Sequence, residues 1–379
     1  MAGTVDRLSK KIEAVARFVY AVIRFPKRLI RINSVISKPS YYSEMERKTR
    51  AEMWLDNFKW LIKKGELNEF YISFGMDIKG FRDPKQYIAR PEFMLWRNSG
   101  NQKMIQASTG SYNSIVLLRD KYVFAEYLAS AIGKEYIVPS YALISKGRVF
   151  FSNEKRWGEI SELLVDGSEL VYKVIDGECA DGVMLVTVSG DKVIADDREY
   201  DKAGFIESLP NRTIVVQNVV KQHAELQKFG TRSVNTIRVV TIMGKSGEVN
   251  LFAAFLRLGA SAESFVDNRA VGGLGVGLNL ETGELMKYGF PHDSFGVRLE
   301  KHPLSGLTFE GFQIPYWKEA VELVKNAHRQ FYGIQSIGWD VVITENGPIL
   351  LEGNDNWEIG GPQDTYGGLR EKWFELVNT

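Results

Sequence analysis

The pattern that most constrains the fold of this chain lies in its last forty residues. Two apolar runs, residues 338–344 and 348–354, are separated only by Glu-Asn-Gly. An Asn-Gly pair between two such runs predicts a β-hairpin. A three-residue loop whose glycine, Gly347, is left-handed places Thr344 opposite Pro348.

The same hairpin predicts a cluster of oxygen ligands. Counting back from the turn, Asp340 faces Glu352 across the ladder, and Asn354 lies on the same side because side chains alternate along a strand. Burying two carboxylates together is costly unless a cation joins them. Oxygen-only ligands suit Mg²⁺, so these three residues are the predicted metal ligands. The alternative is an exposed edge hairpin whose acids are simply solvated.

Composition limits the class of protein. A chain of 379 residues is long enough for two or three lobes, and its net charge of +1 argues against nucleic acid as a partner. A single cysteine, Cys179, excludes an internal disulfide framework and suits a reducing compartment. Four histidines without close pairing argue against structural zinc. No apolar run is long enough for a membrane span. We therefore expect a cytoplasmic protein of the size of an enzyme.

The N-terminal segment differs from the rest in charge. Residues 1–38 carry nine Lys or Arg against two acids. Apolar residues from Leu8 to Val22 recur at intervals of three and four, which predicts an amphipathic helix. Such a helix suits peripheral contact with an anionic membrane, which would make the protein membrane-associated. Packing on the body of the protein, with the basic face in water, is the alternative.

Further elements follow from periodicity and from turn residues. Residues 44–64 are predicted to form a helix that ends at Gly65, and residues 71–101 are predicted to be irregular or made of short elements. A helix is expected from residue 119 to Ala131. Strands are predicted at 141–144, 170–175, 183–188 and 214–219, and a helical segment at 223–229. The later predicted elements are the hairpin 237–258, a turn at Thr282-Gly283 and the helix 317–332.

Lys173 is the first candidate for phosphate binding. It lies within an apolar strand, where a lysine is rarely buried without an anionic partner. Residues 176–182 follow, a loop whose glycines let backbone N–H groups approach phosphates. An edge strand with an exposed lysine and an ordinary hairpin loop is the alternative.

Two arginines in apolar strands are further candidates. Arg238 and Arg257 are each either paired with a structural acid or directed at a phosphate or carboxylate. The glycine-rich run 271–277 precedes a strand and not a helix, so it is not a dinucleotide fingerprint. Its glycines suit a close backbone approach to a ligand beside Asn268.

Taken in order, these features resemble the ATP-grasp superfamily over residues 115–365. The most specific signature is Asp340 followed by Glu352 and Asn354 at spacings of 12 and 2. Two stretches, Gln222-His223 with residues 233–238 and residues 266–268 with Gly272-Gly273, are similar to its sugar-transfer-associated branch. That branch is associated with the biosynthesis of polysaccharides and surface glycans.

The resemblance implies ATP and Mg²⁺ as cofactors and a role for each site residue. Lys121 and Lys173 would contact phosphates, under a loop from Gly177 to Gly182. The implied adenine and ribose contacts are Gln217, Asn218, Val220, His223 and Glu225. The implied catalytic residues, acting on the transferred phosphoryl group or the acceptor, are Arg238, Arg257 and Asn268.

The expected fold is α+β: an ATP-grasp fold of two α+β lobes clamping ATP, preceded by a helical N-terminal region. We expect domain boundaries at 1–100, 101–218 and 219–379. The expected function is an ATP-dependent carboxylate–amine ligase of surface-glycan biosynthesis, whose partners are a small or sugar-linked carboxylate and an amine. The alternatives are a kinase of the same fold that phosphorylates a sugar hydroxyl, and a nonenzymatic adaptor at the membrane surface.

Overall fold

The computed structural model describes residues 26–109, 115–177, 182–196, 198–231, 234–259, 273–291 and 296–379, with the backbone alone over 102–109. The chain divides into two compact units. One unit comprises Met1–Leu95, Ser294–Val297 and Gly367–Arg370, and the other comprises the remaining residues. The predicted amphipathic helix before residue 26 lies outside the described residues. The domain boundaries at residues 100 and 218 stay a prediction.

The described part of the first unit begins with two helices. Helix α1 spans residues 26–36 and buries Ile32, Val35 and Ile36. Helix α2, Arg50–Lys64, starts with a reciprocal capping box between Thr49 and Glu52 and ends at Gly65, whose φ is 75°. The predicted helix 44–64 is therefore confirmed in its end, but it begins six residues later than expected.

The prediction of irregular structure over 71–101 is wrong in its second part. Helix α3 spans Arg90–Thr109. Proline in the first turn of a helix costs no backbone hydrogen bond, so Pro91 marks a helix start and not a break. Within this helix, Gly100 avoids a clash, because a Cβ there would lie 1.9 Å from Oε1 of Gln335.

The second unit contains two antiparallel sheets in its described part. The first has eight strands in the order β3-β2-β1-β8-β4-β5-β6-β7. Their bounds are β1 Ser140–Ser145, β2 Arg148–Phe151, β3 Arg156–Gly158, β4 Glu169–Val174, β5 Val183–Ser189, β6 Lys192–Ala195, β7 Arg198–Asp201 and β8 Ile214–Asn218. Helix α6, Lys202–Ser208, contributes Phe205 to the core of this sheet beside Tyr172.

The second sheet has six strands in the order β12-β11-β10-β9-β13-β14. Their bounds are β9 Thr236–Met243, β10 Val249–Leu258, β11 Leu274–Leu278, β12 Leu285–Pro291, β13 Ser336–Thr344 and β14 Gly347–Asn354. The remaining helices are α4 Val116–Arg119, α5 Lys121–Ile132, α7 Ala224–Gln227, α8 Trp317–Arg329, α9 Gly360–Tyr366 and α10 Arg370–Asn378. From residue 119 onward, each predicted element agrees with these bounds to within a few residues, whereas β2, β3, β6, β7, α6, α9 and α10 were not predicted. The α+β fold class is confirmed.

The second sheet has two chemically different faces. Trp339, Val341 and Ile343 of β13 share one apolar core with residues of α5 and α8. Because side chains alternate along a strand, Asp340 points to the opposite face. That face carries the candidate site. None of the described helices is long and apolar enough to cross a membrane.

Candidate functional site

The hairpin β13–β14 brings the predicted metal ligands together. Asp340 pairs with Glu352, as predicted, and Gly338 pairs with Asn354. The route to this register differs from the prediction. Thr344 faces Gly347 and not Pro348, and a bulge opposite the step from Asp340 to Val341 restores the expected pairing. The turn is one residue tighter than expected, and the bulge compensates for it.

Asp340 is the centre of the site and is held by two arginines. Arg238 of β9 donates from Nε to Oδ1 at 2.5 Å and from Nη2 to Oδ2 at 3.1 Å. Arg257 of β10 donates from Nη1 to Oδ2 at 2.9 Å. Only 1% of Asp340 is exposed. The two guanidinium groups outweigh this burial and hold the pKa of Asp340 well below its usual value. Of the two expected roles of these arginines, pairing with an acid is the one observed.

Glu352 pairs with Asp340 across the hairpin, but its pKa is shifted in the opposite direction. Burial, and then the charge of Asp340 and the hydrogen bond to it, raise the pKa of Glu352 above its usual value. The amide Nδ2 of Asn354 donates to Oε1 of Glu352 at 3.3 Å and to the Gly338 carbonyl at 3.4 Å.

This donor set fits a Mg²⁺ ion. The Asn354 amide N–H₂ group donates to a carboxyl oxygen of Glu352, where a bound cation would instead supply the positive charge. A rotation of the Asn354 amide by half a turn would present its oxygen beside the two carboxyl groups. Among the described residues, no group of three or more His, Cys, Asp or Glu side chains is arranged to hold a metal. The candidate set therefore consists of two carboxyl groups and one amide.

Two lysines extend the cluster toward the first sheet. Lys173 of β4 has its pKa lowered to about 8, by burial first and then by Lys121, while Glu352 and Asp340 oppose the shift. Lys121, at the start of α5, donates from Nζ to the Gly177 carbonyl at 2.5 Å. Four cationic side chains thus accompany two carboxyl groups, an excess of positive charge that suits bound phosphate groups.

The loop between β4 and β5 is described only at its ends. Residues 178–181 lie outside the described residues. Gly182 has a φ of 66°, and a Cβ there would lie 2.4 Å from Cγ2 of Val174, so the position requires glycine. Its carbonyl accepts from the Val174 N–H at 3.1 Å. Gly177 and Gly182 are therefore fixed beside the end of the lysine-bearing strand.

The predicted adenine and ribose residues lie along the segment after β8. Gln217 is buried between β1 and β4, and its Nε2 donates to the Val138 carbonyl at 3.3 Å. Asn218 is exposed, and Val220 is half-buried. The side chain of Gln217 is thus engaged within the sheet, whereas the backbone that follows it lies at the strand end.

His223 and Glu225 are not beside the acidic cluster. Nδ1 of His223 caps α7 by accepting from the backbone N–H of Glu225 at 3.1 Å. The backbone N–H of His223 donates to the Ile343 carbonyl at 2.7 Å. Ile343 is three residues along β13 from Asp340, which corresponds to roughly 10 Å of strand. The carboxylate of Glu225 binds Lys228. Asn268 lies outside the described residues.

The structure shows two polar contacts that the sequence reasoning missed. Oε1 of the buried Gln222 accepts from the backbone N–H of Asn235 at 3.0 Å, which ties the segment before α7 to the start of β9. Arg119 binds Asp355 through two hydrogen bonds of 2.8 and 2.9 Å. The only signal in the sequence was adjacency: Gln222 precedes His223, and Asp355 follows Asn354.

Comparison with known proteins identifies the family of this chain. A family model described as sugar-transfer associated ATP-grasp matches residues 103–372. No protein in the curated collection matches the chain. Because the family match covers more than half of the chain, the chain belongs to the sugar-transfer-associated ATP-grasp family.

Solved structures show more distant similarity. N5-carboxyaminoimidazole ribonucleotide synthetase from Thermotoga maritima is 13% identical with a TM-score of 0.35, and the match covers 67% of this chain and 48% of that one. D-alanine–D-alanine ligase from Bacillus anthracis, complexed with ATP, is 15% identical with a TM-score of 0.34, over 73% of this chain and 72% of that one. L-amino acid ligase from Bacillus licheniformis is 13% identical with a TM-score of 0.36, over 67% and 44%. The chain spans about half the length of the first solved structures that it matches.

Proposed function

We propose that this member of the sugar-transfer-associated ATP-grasp family is an ATP-dependent ligase that joins a carboxylate to an amine. The observation that supports this most strongly is the cluster around Asp340. Two arginines, two carboxyl groups and an amide lie together on one face of the second sheet, and Lys173 of β4 and Lys121 of α5 add two cations beside them. The family match supplies the nucleotide: the proposed substrate is ATP.

In this proposal, Lys121 and Lys173 bind the phosphates of ATP, and the loop from Gly177 to Gly182 closes over them. The backbone from Gln217 to Val220 borders adenine. His223 or Glu225, on the same segment, contacts the ribose. An extended ATP molecule is longer than the strand interval between Asp340 and Ile343, so the two groups of residues suit opposite ends of one nucleotide.

Asp340, Glu352 and Asn354 would hold Mg²⁺. A bound magnesium ion would neutralise charge on the phosphate oxygens of ATP and fix their orientation. The side chains contribute at the same place. Arg238 and Arg257 would balance negative charge on the phosphoryl group and on the acceptor carboxylate, because their guanidinium groups present several N–H donors in a plane.

The proposed chemistry proceeds in two displacements. A carboxylate oxygen attacks the γ-phosphorus, the bond to the β-phosphate oxygen breaks, and ADP leaves with an acyl phosphate remaining. The amine nitrogen then attacks the acyl carbon, the bond to the phosphate oxygen breaks, and the nitrogen loses a proton as the amide forms. Catalysis of this kind rests on positioning and on charge neutralisation, so it needs no side-chain nucleophile.

The acceptor is proposed to be a small or sugar-linked carboxylate of polysaccharide or surface-glycan assembly, and the amine an amino acid or ammonia. The family description, which associates the group with sugar transfer, supports this choice. Peripheral contact with an anionic membrane through residues 1–38 would bring a lipid-linked acceptor within reach, and their nine cationic side chains support that proposal.

A hydroxylamine trap tests the reaction. The protein is incubated with Mg-ATP, hydroxylamine and a pool of uronic acids, sugar nucleotides and amino acids, with Asp340→Asn as the control. We expect a hydroxamate to form together with ADP in the wild type and not in the variant, because hydroxylamine intercepts an acyl phosphate. ADP with a phosphorylated sugar and no hydroxamate would replace the ligase with a kinase of the same fold.

A further inference from the structure

The ion pair between Arg119 and Asp355 joins two distant parts of the chain at the edge of the candidate site. Nε of Arg119 lies 2.8 Å from Oδ1 of Asp355, and Nη2 lies 2.9 Å from Oδ2. Both oxygens are therefore held by one guanidinium group in the fork geometry that fixes orientation as well as distance. The two residues are 236 positions apart in the sequence.

Each partner lies next to residues of the candidate site. Asp355 directly follows Asn354, the last residue of β14 and a candidate metal ligand. Arg119 ends α4, two positions before Lys121. Asp120 between them caps α5 by accepting from the N–H groups of Tyr122 and Val123. A shift of Arg119 therefore moves the first turn of α5 and Lys121 with it.

Close packing beside the ion pair limits how far α4 and α5 can move relative to β14. A Cβ at Gly353 would lie 2.8 Å from Cδ2 of Leu118 and 3.2 Å from Cε2 of Phe124. The helix residues on both sides of Arg119 and Lys121 thus contact the strand immediately before Asn354. Van der Waals contact sets the separation of the two segments, and the ion pair fixes how one slides along the other.

We propose that Arg119 and Asp355 form a positioning pair that sets Lys121 relative to Glu352 and Asn354, so that one nucleotide engages the lysine and the metal together. This inference rests on the proposed function, since it assumes that Lys121 binds phosphate and that the acids bind Mg²⁺. The pair touches neither ligand. It acts through the residues on either side of it.

The burial of Asp355 distinguishes this ion pair from one whose two partners are both exposed. The side chain of Asp355 is 8% exposed, whereas that of Arg119 is 53% exposed. Exposed ion pairs contribute little, but removing the partner of a buried carboxylate leaves a charge without compensation. Groups that orient metal ligands typically change metal affinity by about 10- to 100-fold when they are replaced.

The test measures how ADP binding depends on Mg²⁺. Titration calorimetry over a series of Mg²⁺ concentrations gives the half-saturating concentration for the wild type, Arg119→Met and Asp355→Asn. We expect each variant to need about tenfold more Mg²⁺. The double variant should need no more than either single one, because both changes remove the same contact. Arg119→Lys, which keeps one ion pair, should fall between the wild type and Arg119→Met.

Arg156→Met is the matched control. Arg156 is 45% exposed, binds Glu162 at 2.8 Å and lies in the first sheet on β3. It should leave the Mg²⁺ dependence of ADP binding unchanged. The thermal midpoint of each variant without ligand is measured in parallel.

Three results would overturn the proposal. A lower thermal midpoint in Arg119→Met and Asp355→Asn, with the Mg²⁺ dependence of the wild type, would make the pair purely structural. Equal changes in Arg156→Met would remove the link to the site. Absence of ADP binding by the wild type at every Mg²⁺ concentration would overturn both the proposed role of the ion pair and the proposed function. The first two results would overturn only the role of the ion pair.

Discussion

The two faces of strand β13 bury polar groups in opposite ways. On one face, Trp339 donates from Nε1 to Oγ1 of Thr241 at 2.8 Å, and Thr241 lies 2.7 Å from Nδ1 of His328. Nε2 of His328 lies 2.8 Å from the Ile334 carbonyl. With the proton on Nε2, Thr241 donates to Nδ1, and each polar group in this chain has a partner without any net charge.

The other face is charged and only partly balanced. Asp340 lies between two arginines, the pKa of Glu352 is raised by burial and by the charge of Asp340, and burial lowers the pKa of the nearby Lys173 to about 8. A neutral network with every partner in place stabilises one packing arrangement. An excess of cations around two carboxyl groups instead favours a ligand that supplies more negative charge. Burial of polar groups alone therefore does not identify a binding site. The excess of positive charge on the second face does.

Replacing Asp340 should break the charged face with the largest effect. Asp340→Asn keeps the shape but removes the charge that the proposed metal and both arginines share. We expect ADP formation to fall by about 10³-fold, since such electrostatic contributions are worth several kcal/mol. Turnover is measured by coupled ADP release. A variant within threefold of the wild type would remove Asp340 from the proposed site.

The neutral face should reveal itself through pH. Burial lowers the pKa of His328 to about 4, from 6.5 in the unfolded chain. Between these values the unfolded chain binds a proton that the folded protein does not. The stability contributed by neutral His328 is therefore complete above pH 6.5 and is lost as the pH falls toward 4. The shift corresponds to about 3 kcal/mol at most.

Urea unfolding at several pH values measures this dependence, with His328→Gln as the reference because glutamine does not titrate. The wild type should lose more free energy of unfolding than the variant between pH 6.5 and 4.5. Parallel curves for the two proteins would mean that His328 is protonated in the folded state or is not buried.

Thr241→Val should separate the two faces more sharply. The substitution leaves the Trp339 N–H without its acceptor and Nδ1 of His328 without its donor. Unsatisfied buried groups cost about 1–3 kcal/mol each, so the urea midpoint should fall, while the affinity for ADP should stay within a factor of about two. A loss of ADP affinity without a loss of stability would show that the neutral face also serves the site.

Local patterns predicted much of this molecule. The Asn-Gly turn identified the hairpin, and counting back from it placed Asp340 opposite Glu352. The bulge was not predictable, because nothing at Leu351 distinguishes it from its neighbours by residue type. The turn is one residue shorter than predicted, and the bulge shifts the register by one residue in compensation. The predicted pairing of Asp340 with Glu352 was therefore right, although the predicted turn was wrong.

Long-range partners were beyond the reach of the sequence. Arg238 and Arg257 were recognised as candidates, but their pairing with Asp340 depends on β9 lying between β10 and β13. The contacts of Arg119 with Asp355 and of Gln222 with Asn235 join loop and helix ends, where no periodicity reveals the partner. The long helix α3 was likewise not predicted, and only the folded chain shows that Gln335 occupies the space beside Gly100.

The smallest predicted effect concerns Lys173, which lies on β4 of the first sheet, beside the charged face of β13. Lys173→Met removes one of four cations near Asp340 but keeps a side chain of similar length on β4. We expect the dissociation constant for ADP to rise about tenfold, because a charged hydrogen bond to phosphate contributes about 1.5 kcal/mol or more. The control is Lys192→Met, which removes an exposed lysine that binds Glu199 at the far strands of the same sheet. Equal affinities in both variants would mean that Lys173 serves only to balance Glu352, and that the phosphates depend on Lys121 and the arginines instead.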